Sequence, residues 1–249
     1  MIRIHHKDNW PFLINTPDST YDLIYIDPPF NTGRRQIRTN KHGEAYGYDD
    51  SFDDFQAFII PRLHQAYRIL KPTGSFFIHM DYREIHYVKI ILDGIFGRDS
   101  FINEIIWSYD YGARSKKRWS CKHDNILWYA KTPDNYTFNY DAIDRIPYLA
   151  PSLCGDEKAE RGKTPTDVWW NTIVSPNGKE KTGYATQKPL NIMNRIVQVH
   201  SNEGDKCLDF FAGSGSFGEA CKINNRHCDL VDWNEDAIKV MRKRLGEPA

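Results

Sequence analysis

The chain has 249 residues, a net charge of zero, 40% hydrophobic and 27% charged residues. That suits one globule of α/β size and excludes a disordered chain, while zero net charge confines any nucleic-acid binding to local basic patches. No run approaches ~18 apolar residues, so a membrane span is excluded. Met1–His6 lacks a signal-peptide core, and five cysteines without a CxxC pair fit a reducing cytoplasm with no disulfide framework or metal site.

Leu23-Ile24-Tyr25-Ile26 is an apolar run that stops at Asp27-Pro28-Pro29, which predicts a buried strand ending in a loop, because prolines cannot donate to a ladder. Asn31 to Ser51 is polar and glycine-bearing, and reads as a long mobile loop of functional size. Asp53–Leu70 has helical spacing and ends at Lys71-Pro72-Thr73-Gly74. Ser75–Met80 is the next strand and Tyr82–Phe96 the next helix, so a parallel sheet with crossover helices is expected. Phe101–Trp107 and Asn125–Ala130 read as strands. Pro133–Tyr184 is irregular and receives no assignment. The chain closes with a helix over Leu190–His200, a strand over Lys206–Phe211, a helix over Phe217–Asn224, a strand over His227–Val231 and a helix over Glu235–Leu245.

Cys207 to Gly218 is a strand, a glycine turn and a helix start. Glycines let backbone N–H groups approach a ligand, and a helix N-terminus favours negative charge. The following strand leads to Asp232, whose carboxylate is suited to ribose hydroxyls. Gly213-x-Gly215-x-x-Gly218 with that acid also satisfies a dinucleotide fingerprint. The plain alternative is a tight turn, with Asp232 capping the start of the next helix. Against the dinucleotide reading, little chain follows the turn, so most of the sheet must come from the N-terminal half.

Asp27-Pro28-Pro29-Phe30 leaves a parallel strand at the edge where ligands bind. The Asp27 carboxylate and the Pro28 carbonyl are acceptors for an exocyclic amino group, the prolines stiffen the turn, and Phe30 offers a π-face to a planar ring. Two acceptors around a conjugated amino group favour its rehybridisation towards a nucleophile, a case of electrostatic preorganisation.

The pair Asp27-Pro28-Pro29-Phe30 and Asp209-Phe210-Phe211-Ala212-Gly213-Ser214-Gly215, in that order, resembles the beta class of S-adenosylmethionine-dependent DNA amino-methyltransferases. Ile2–Asp8 is similar to the family's N-terminal strand, with Lys7 where a glycine is usual, and Thr186-Gln187-Lys188-Pro189 is similar to its Thr-Gln-Lys-Pro motif, with Tyr184-Ala185 in place of His-Pro. His123–Lys131 is similar to its hairpin strand. The resemblance implies a seven-stranded, mostly parallel, Rossmann-like methyltransferase sheet, circularly permuted, with one antiparallel strand. It implies one domain over 1–249, with target recognition inserted over about 109–184. The implied cofactor site holds Asp8, Asp27, Thr186, Lys188, Asp209, Phe211, Ala212, Gly213, Ser214, Gly215, Asp232 and Trp233, and the implied catalytic set is Asp27, Pro28, Pro29 and Phe30. The implied reaction is methylation of the adenine N6 amino group in double-stranded DNA, the leading acid favouring adenine over the N4 group of cytosine. A second copy of the chain and a cognate restriction endonuclease are the partners the resemblance allows, in a bacterial, archaeal or phage-encoded cytoplasmic setting. A nicotinamide dehydrogenase is disfavoured by the motif order.

Two basic clusters are candidates for phosphate contact: Arg34, Arg35 and Arg38 after the catalytic turn, and Arg114, Lys116, Lys117 and Arg118 in the acid-free stretch Tyr111–Lys122. Trp169-Trp170 reads as core, and His79 as structural.

Overall fold

A computed structural model describes residues 1–39, 45–175, 178, 180–184 and 186–246. In chain order the elements are β1 (Ile2–His6), α1 (Asn9–Ile14), β2 (Tyr21–Ile26), β3 (Arg34–Thr39), β4 (Ala45–Asp50), α2 (Phe55–Ile69), β5 (Leu70–Met80), α3 (Ile85–Phe96), β6 (Phe101–Ser108) and β7 (His123–Ala130). They continue with α4 (Asp156–Arg161), β8 (Val168–Trp170), α5 (Leu190–His200), β9 (Lys206–Asp209), α6 (Ser216–Ile223), β10 (His227–Asp232) and α7 (Glu235–Leu245).

The main sheet runs β1-β10-β9-β2-β5-β7-β6-β8. β7 lies antiparallel to both β5 and β6, and the other neighbouring pairs are parallel. The expected single antiparallel strand is therefore present, but the sheet has eight strands and not seven. The extra strand is β8, three residues within the segment that received no assignment, too short to carry a periodic signal. β1 pairs with β10, so the first and last strands of the chain lie side by side. Asp229 fastens that edge: it accepts from Arg3 Nε (2.8 Å) and Nη2 (2.9 Å) and from the Tyr21 hydroxyl (2.9 Å), and lies 2.8 Å from His5 Nε2.

Two apolar layers cover the sheet. One joins Ile192, Met193, Ile196, Phe217, Ile238 and Met241 of α5, α6 and α7 to one face. The other joins Leu13, Ile59, Leu63, Val88 and Leu92 of α1, α2 and α3 to the opposite face. Strands covered on both faces read as continuous apolar runs, which is why Leu23–Ile26 and Phe76–Ile78 stand out in the sequence.

Residues 31–51 are not simply a loop. β3 and β4 form an antiparallel hairpin, with Arg34 opposite Asp50 and Thr39 opposite Ala45. Its glycine and arginine content hid the pairing. Gly47 is required there, because a Cβ would collide with the Gln36 carbonyl oxygen. Buried Asp50 anchors the base of the hairpin, accepting from Asn31 N (2.8 Å), Thr32 Oγ1 (2.6 Å) and Gln36 Nε2 (3.4 Å). No helix among the described residues is long and apolar enough to cross a membrane.

Candidate active site

β2 and β9 are adjacent at the centre of the sheet, with Ile24 opposite Leu208. The chain order reverses between them, so a crevice opens at their carboxyl ends. Asp27-Pro28-Pro29-Phe30 leaves β2 into that crevice, and the glycine turn leaves β9 beside it. A cavity of about 480 Å³ lies there. Of the residues expected on it, Asp8, Asp27, Pro29, Thr186, Lys188, Asp209, Phe211, Ala212, Gly213, Ser214, Asp232 and Trp233 line its wall.

Gly215 does not line it. Its φ is +74°, and an added Cβ would stand 2.8 Å from Met241 Cγ, so this glycine starts α6 in the left-handed region against α7. The glycine requirement is real, but it comes from packing. Pro28 and Phe30 are not among the wall residues either: Pro28 is buried, and Phe30 is half-buried, 6.0 Å between ring centroids from His79, with Lys188 Nζ 5.2 Å from its ring centre.

The Asp27 carboxylate has two unlike oxygens. Oδ2 accepts from the Lys188 ammonium, whereas buried Oδ1 has no hydrogen-bond partner among the described residues. Lys188 is fixed from behind, since its carbonyl accepts from Ser216 Oγ at 2.9 Å at the first residue of α6. The Thr-Gln-Lys-Pro segment and the glycine turn are thus one bonded unit.

Asp232 does not cap α7, whose N-cap is Asn234. Asp232 Oδ2 accepts from Gly213 N and Oδ1 from Asn234 N, each at 2.8 Å, so it braces the glycine turn while facing the cavity. Burial raises its pKa above the ordinary carboxylate value, opposed by the N–H groups of Asn234, Gly213 and Trp233. Asp209 is pushed well above that value, first by burial and, against the Phe211 N–H, by the charges of Asp27 and Asp232. Asp8 caps α1 through Trp10 N (2.7 Å) while its side chain reaches the cavity.

Several wall residues lie outside those the sequence singles out. Tyr48 and Asn234 meet there through the hairpin: Asn234 Nδ2 donates to the Gly47 carbonyl at 3.0 Å, and Tyr48 hydrogen-bonds the Thr186 side chain. Their pairing partners are distant in sequence and invisible to periodicity, although the alternation around Tyr48 was a usable strand signal. Phe58 and Arg62 of α2 reach the same wall, with the guanidinium 4.0 Å from the Phe58 ring centre and Arg62 Nε donating to Asn9 Oδ1 at 2.7 Å.

The basic clusters lie at the same edge of the sheet. β6 runs parallel to β2 and β5, so the 109–122 connection, which leaves its carboxyl end, stands on the side of Asp27. Arg114, Lys116, Lys117 and Arg118 are exposed, Arg114 paired with Asp110, and Trp119 is 97% exposed beside them. Arg34 and Arg35 are exposed on β3; Arg38 is on the same strand, its side chain outside the described residues. Trp169-Trp170 splits, because neighbouring strand residues face opposite ways: Trp169 is buried, with Arg195 4.7 Å over its ring, whereas Trp170 is 70% exposed at the carboxyl end of β8. Among the described residues no group of His, Cys, Asp and Glu is arranged to hold a metal.

The family model described as DNA methylase matches residues 21–243. This chain belongs to the DNA methylase family. It is 34% identical over 236 residues to Type II methyltransferase M.HpaI of Haemophilus parainfluenzae, covering 94% of this chain and 70% of that one. It is 31% identical over 257 residues to DNA adenine methyltransferase YhdJ of Escherichia coli (strain K12), covering 97% and 82%. Among solved structures, the M1.HpyAVI-SAM complex shares the fold with a TM-score of 0.67 at 24% identity, over 98% of this chain and 99% of that one. The PvuII cytosine-N4-specific DNA methyltransferase does so with a TM-score of 0.70 at 15% identity, over 98% and 86%.

Proposed function

We propose that this DNA methylase uses S-adenosylmethionine to methylate the N6 amino group of adenine in double-stranded DNA at a specific sequence. One observation carries the choice of cofactor. The cavity wall holds four carboxylates, Asp8, Asp27, Asp209 and Asp232, against two cations, Arg62 and Lys188. The turn's N–H groups at Gly213 and Gly215 are spent on Asp232 and on the Ala212 carbonyl. A nicotinamide dinucleotide brings an anionic pyrophosphate that needs such groups free; a sulfonium and an ammonium suit the carboxylates. S-adenosylmethionine therefore fits the residues present. Asp232 would hold the ribose hydroxyls, Phe211, Phe58 and Asp8 the adenine end, and Thr186 and Lys188 the methionine end.

The cofactor supplies an electrophilic methyl group, and the chain's residues do the rest. The target adenine must leave the duplex, because its amino group is otherwise paired. Phe30 stacks on the extruded ring. Asp27 Oδ1, buried and without a partner, accepts one amino hydrogen, and the Pro28 carbonyl accepts the other. Those acceptors would draw the nitrogen lone pair out of conjugation and leave it nucleophilic, and positioning with electrostatics would carry the rate. The attacking atom is the base's own nitrogen, so no enzyme nucleophile is needed. Cys207, Cys221 and Cys228 suit that: burial holds their thiols up, Cys228 to about 11.

Adenine is supported by the leading Asp27 and by the name of the Escherichia coli relative. The same proposal includes recognition by residues 109–184, phosphate contact by both basic clusters, one domain over the whole chain and a cytoplasmic location. A restriction-endonuclease partner is supported by the Type II names of the relatives, and a second copy of the chain rests on family resemblance alone. The cofactor test is thermal: S-adenosylmethionine at a hundredfold its Kd should stabilise the protein by about 2.7 kcal/mol, and NAD should leave Tm unmoved. A shift with NAD alone would refute the assignment.

A further inference from the structure

Four side chains form a hydrogen-bonded chain along the carboxyl edge of the sheet, from the cavity to the basic loop. Tyr25 of β2 lines the cavity, and its hydroxyl is 2.9 Å from His79 Nδ1. His79 of β5 has Nε2 3.2 Å from Asp124 Oδ2 at the start of β7. The Tyr109 hydroxyl donates to the other oxygen of Asp124 at 3.1 Å. Tyr109 is the first residue after β6, and its N–H donates to the Lys122 carbonyl at 2.9 Å, closing the neck of the basic loop. Because Asp124 can only accept, Nε2 carries a proton; in the neutral ring Nδ1 then accepts from Tyr25.

The imidazole between Tyr25 and Asp124 is fully buried. It packs against the Phe30 ring and meets Trp107 edge-on at 5.4 Å and 78°. Tyr25 in turn stacks on Phe217 of α6 at 5.3 Å and 19°. Burial would raise the Asp124 carboxyl, but the hydrogen bonds from His79 and Tyr109 and the charge of Lys188 hold it below its ordinary value. A buried histidine–carboxylate pair brings little net stability compared with apolar packing. What this pair fixes is geometry: one imidazole supports Phe30 and Tyr25 on the cavity side and, through Asp124, both stems of the basic loop.

We propose that His79 and Asp124 are positioning residues that hold the base-accepting face, Phe30 and Tyr25, in register with the basic loop between β6 and β7, so that DNA contact at the loop and acceptance of the extruded base are coupled. This rests on the reading of the chain as a DNA methyltransferase. The link has two ends in different parts of the site, and breaking either releases the same connection. Its energetic signature is therefore non-additivity between Tyr25 and Tyr109, which do not touch each other in this chain of bonds.

The test uses the full chain, tritiated S-adenosylmethionine and a plasmid that the parent methylates, reading kcat, KM for DNA, cofactor Kd and Tm. His79→Gln keeps a donor for Asp124 but loses Tyr25. Tyr109→Phe and Tyr25→Phe each remove one hydroxyl and keep the ring, so they remain informative if His79→Gln folds poorly. His79→Gln and Tyr109→Phe should each lower kcat roughly tenfold, the scale of one hydrogen bond, with unchanged cofactor Kd. The Tyr25→Phe/Tyr109→Phe double variant should lose less than the product of the single losses. Parent kcat in Tyr109→Phe, or strictly multiplicative losses in the double variant, would overturn the coupling. A parent that transfers no methyl group to any DNA would overturn the functional reading, and the coupling with it; variants indistinguishable from an active parent overturn the coupling alone.

Discussion

The two oxygens of Asp27 differ in their surroundings. Oδ2 is held by Lys188, which fixes the carboxylate's orientation, while Oδ1 is buried without a hydrogen-bond partner among the described residues and is the proposed acceptor for the base. Asp232 is the second residue with a double task, bracing Gly213 and Asn234 while facing the cavity. Asp232→Ala should therefore cost two things of different size. Loss of its hydrogen bonds to a ribose should weaken S-adenosylmethionine binding by roughly 2–4 kcal/mol. Loss of the turn brace should lower stability by only about 1 kcal/mol, as for a lost cap. Calorimetry and thermal melts on one variant separate the two; unchanged cofactor affinity would confine Asp232 to the brace.

Elements were legible where local chemistry agreed with tertiary packing. α5 and α7 have the bounds their spacing predicts, and α7 shows why: Asn234 caps it through Asp236 N at 2.9 Å and Gly246, at φ +73°, ends it. The hairpin of β3 and β4 was missed because arginines, glycines and acids dominate its composition, although its pairing depends on one glycine and on Asp50. The pieces of 133–184 are too short for any period to show. In the site, residues on the two motif turns were legible, whereas Tyr48, Phe58, Arg62 and Asn234 arrive from elements whose approach only the fold determines. Gly215 marks the opposite case, a motif position whose requirement is packing against Met241. The basic elements carry their own expectation. Removing Arg34 and Arg35, or Lys116 and Lys117, should reduce the dependence of log K on log salt by about 0.9 per lost phosphate contact. Filter binding across a salt series reads that slope, and cofactor affinity should hold. A parental slope in both double variants would place the DNA elsewhere.

At the scale of the whole molecule, the sheet brings three distant parts of the chain to one edge while its buried faces set the conditions under which it stays folded. His200, at the end of α5, is buried among Phe77, Trp128 and Phe138. Burial, opposed by a hydrogen bond with the Thr137 backbone, lowers its pKa from 6.5 to about 3. The unfolded chain therefore takes up a proton first as the pH falls. The stability contribution of the neutral ring is fully present above pH 6.5 and is lost progressively towards pH 3, amounting to about 2 kcal/mol by pH 5. Urea titrations of the parent and His200→Gln between pH 7 and 5, roughly the upper part of that range, should show a shallower loss in the variant; parallel curves would mean the ring is not held neutral.

Acceptance of an adenine amino group by Asp27 can be read from one labelling assay. The parent and Asp27→Asn are each given tritiated S-adenosylmethionine and DNA bearing the site the parent modifies, and the DNA is then digested to nucleosides. Tritium should appear in N6-methyladenine from the parent, and the rate from Asp27→Asn should be at least ~10²-fold lower, the scale of a lost preorganised group, with cofactor and DNA binding retained. Parental activity in Asp27→Asn would contradict the role of Asp27, and label confined to N4-methylcytosine would contradict the choice of base.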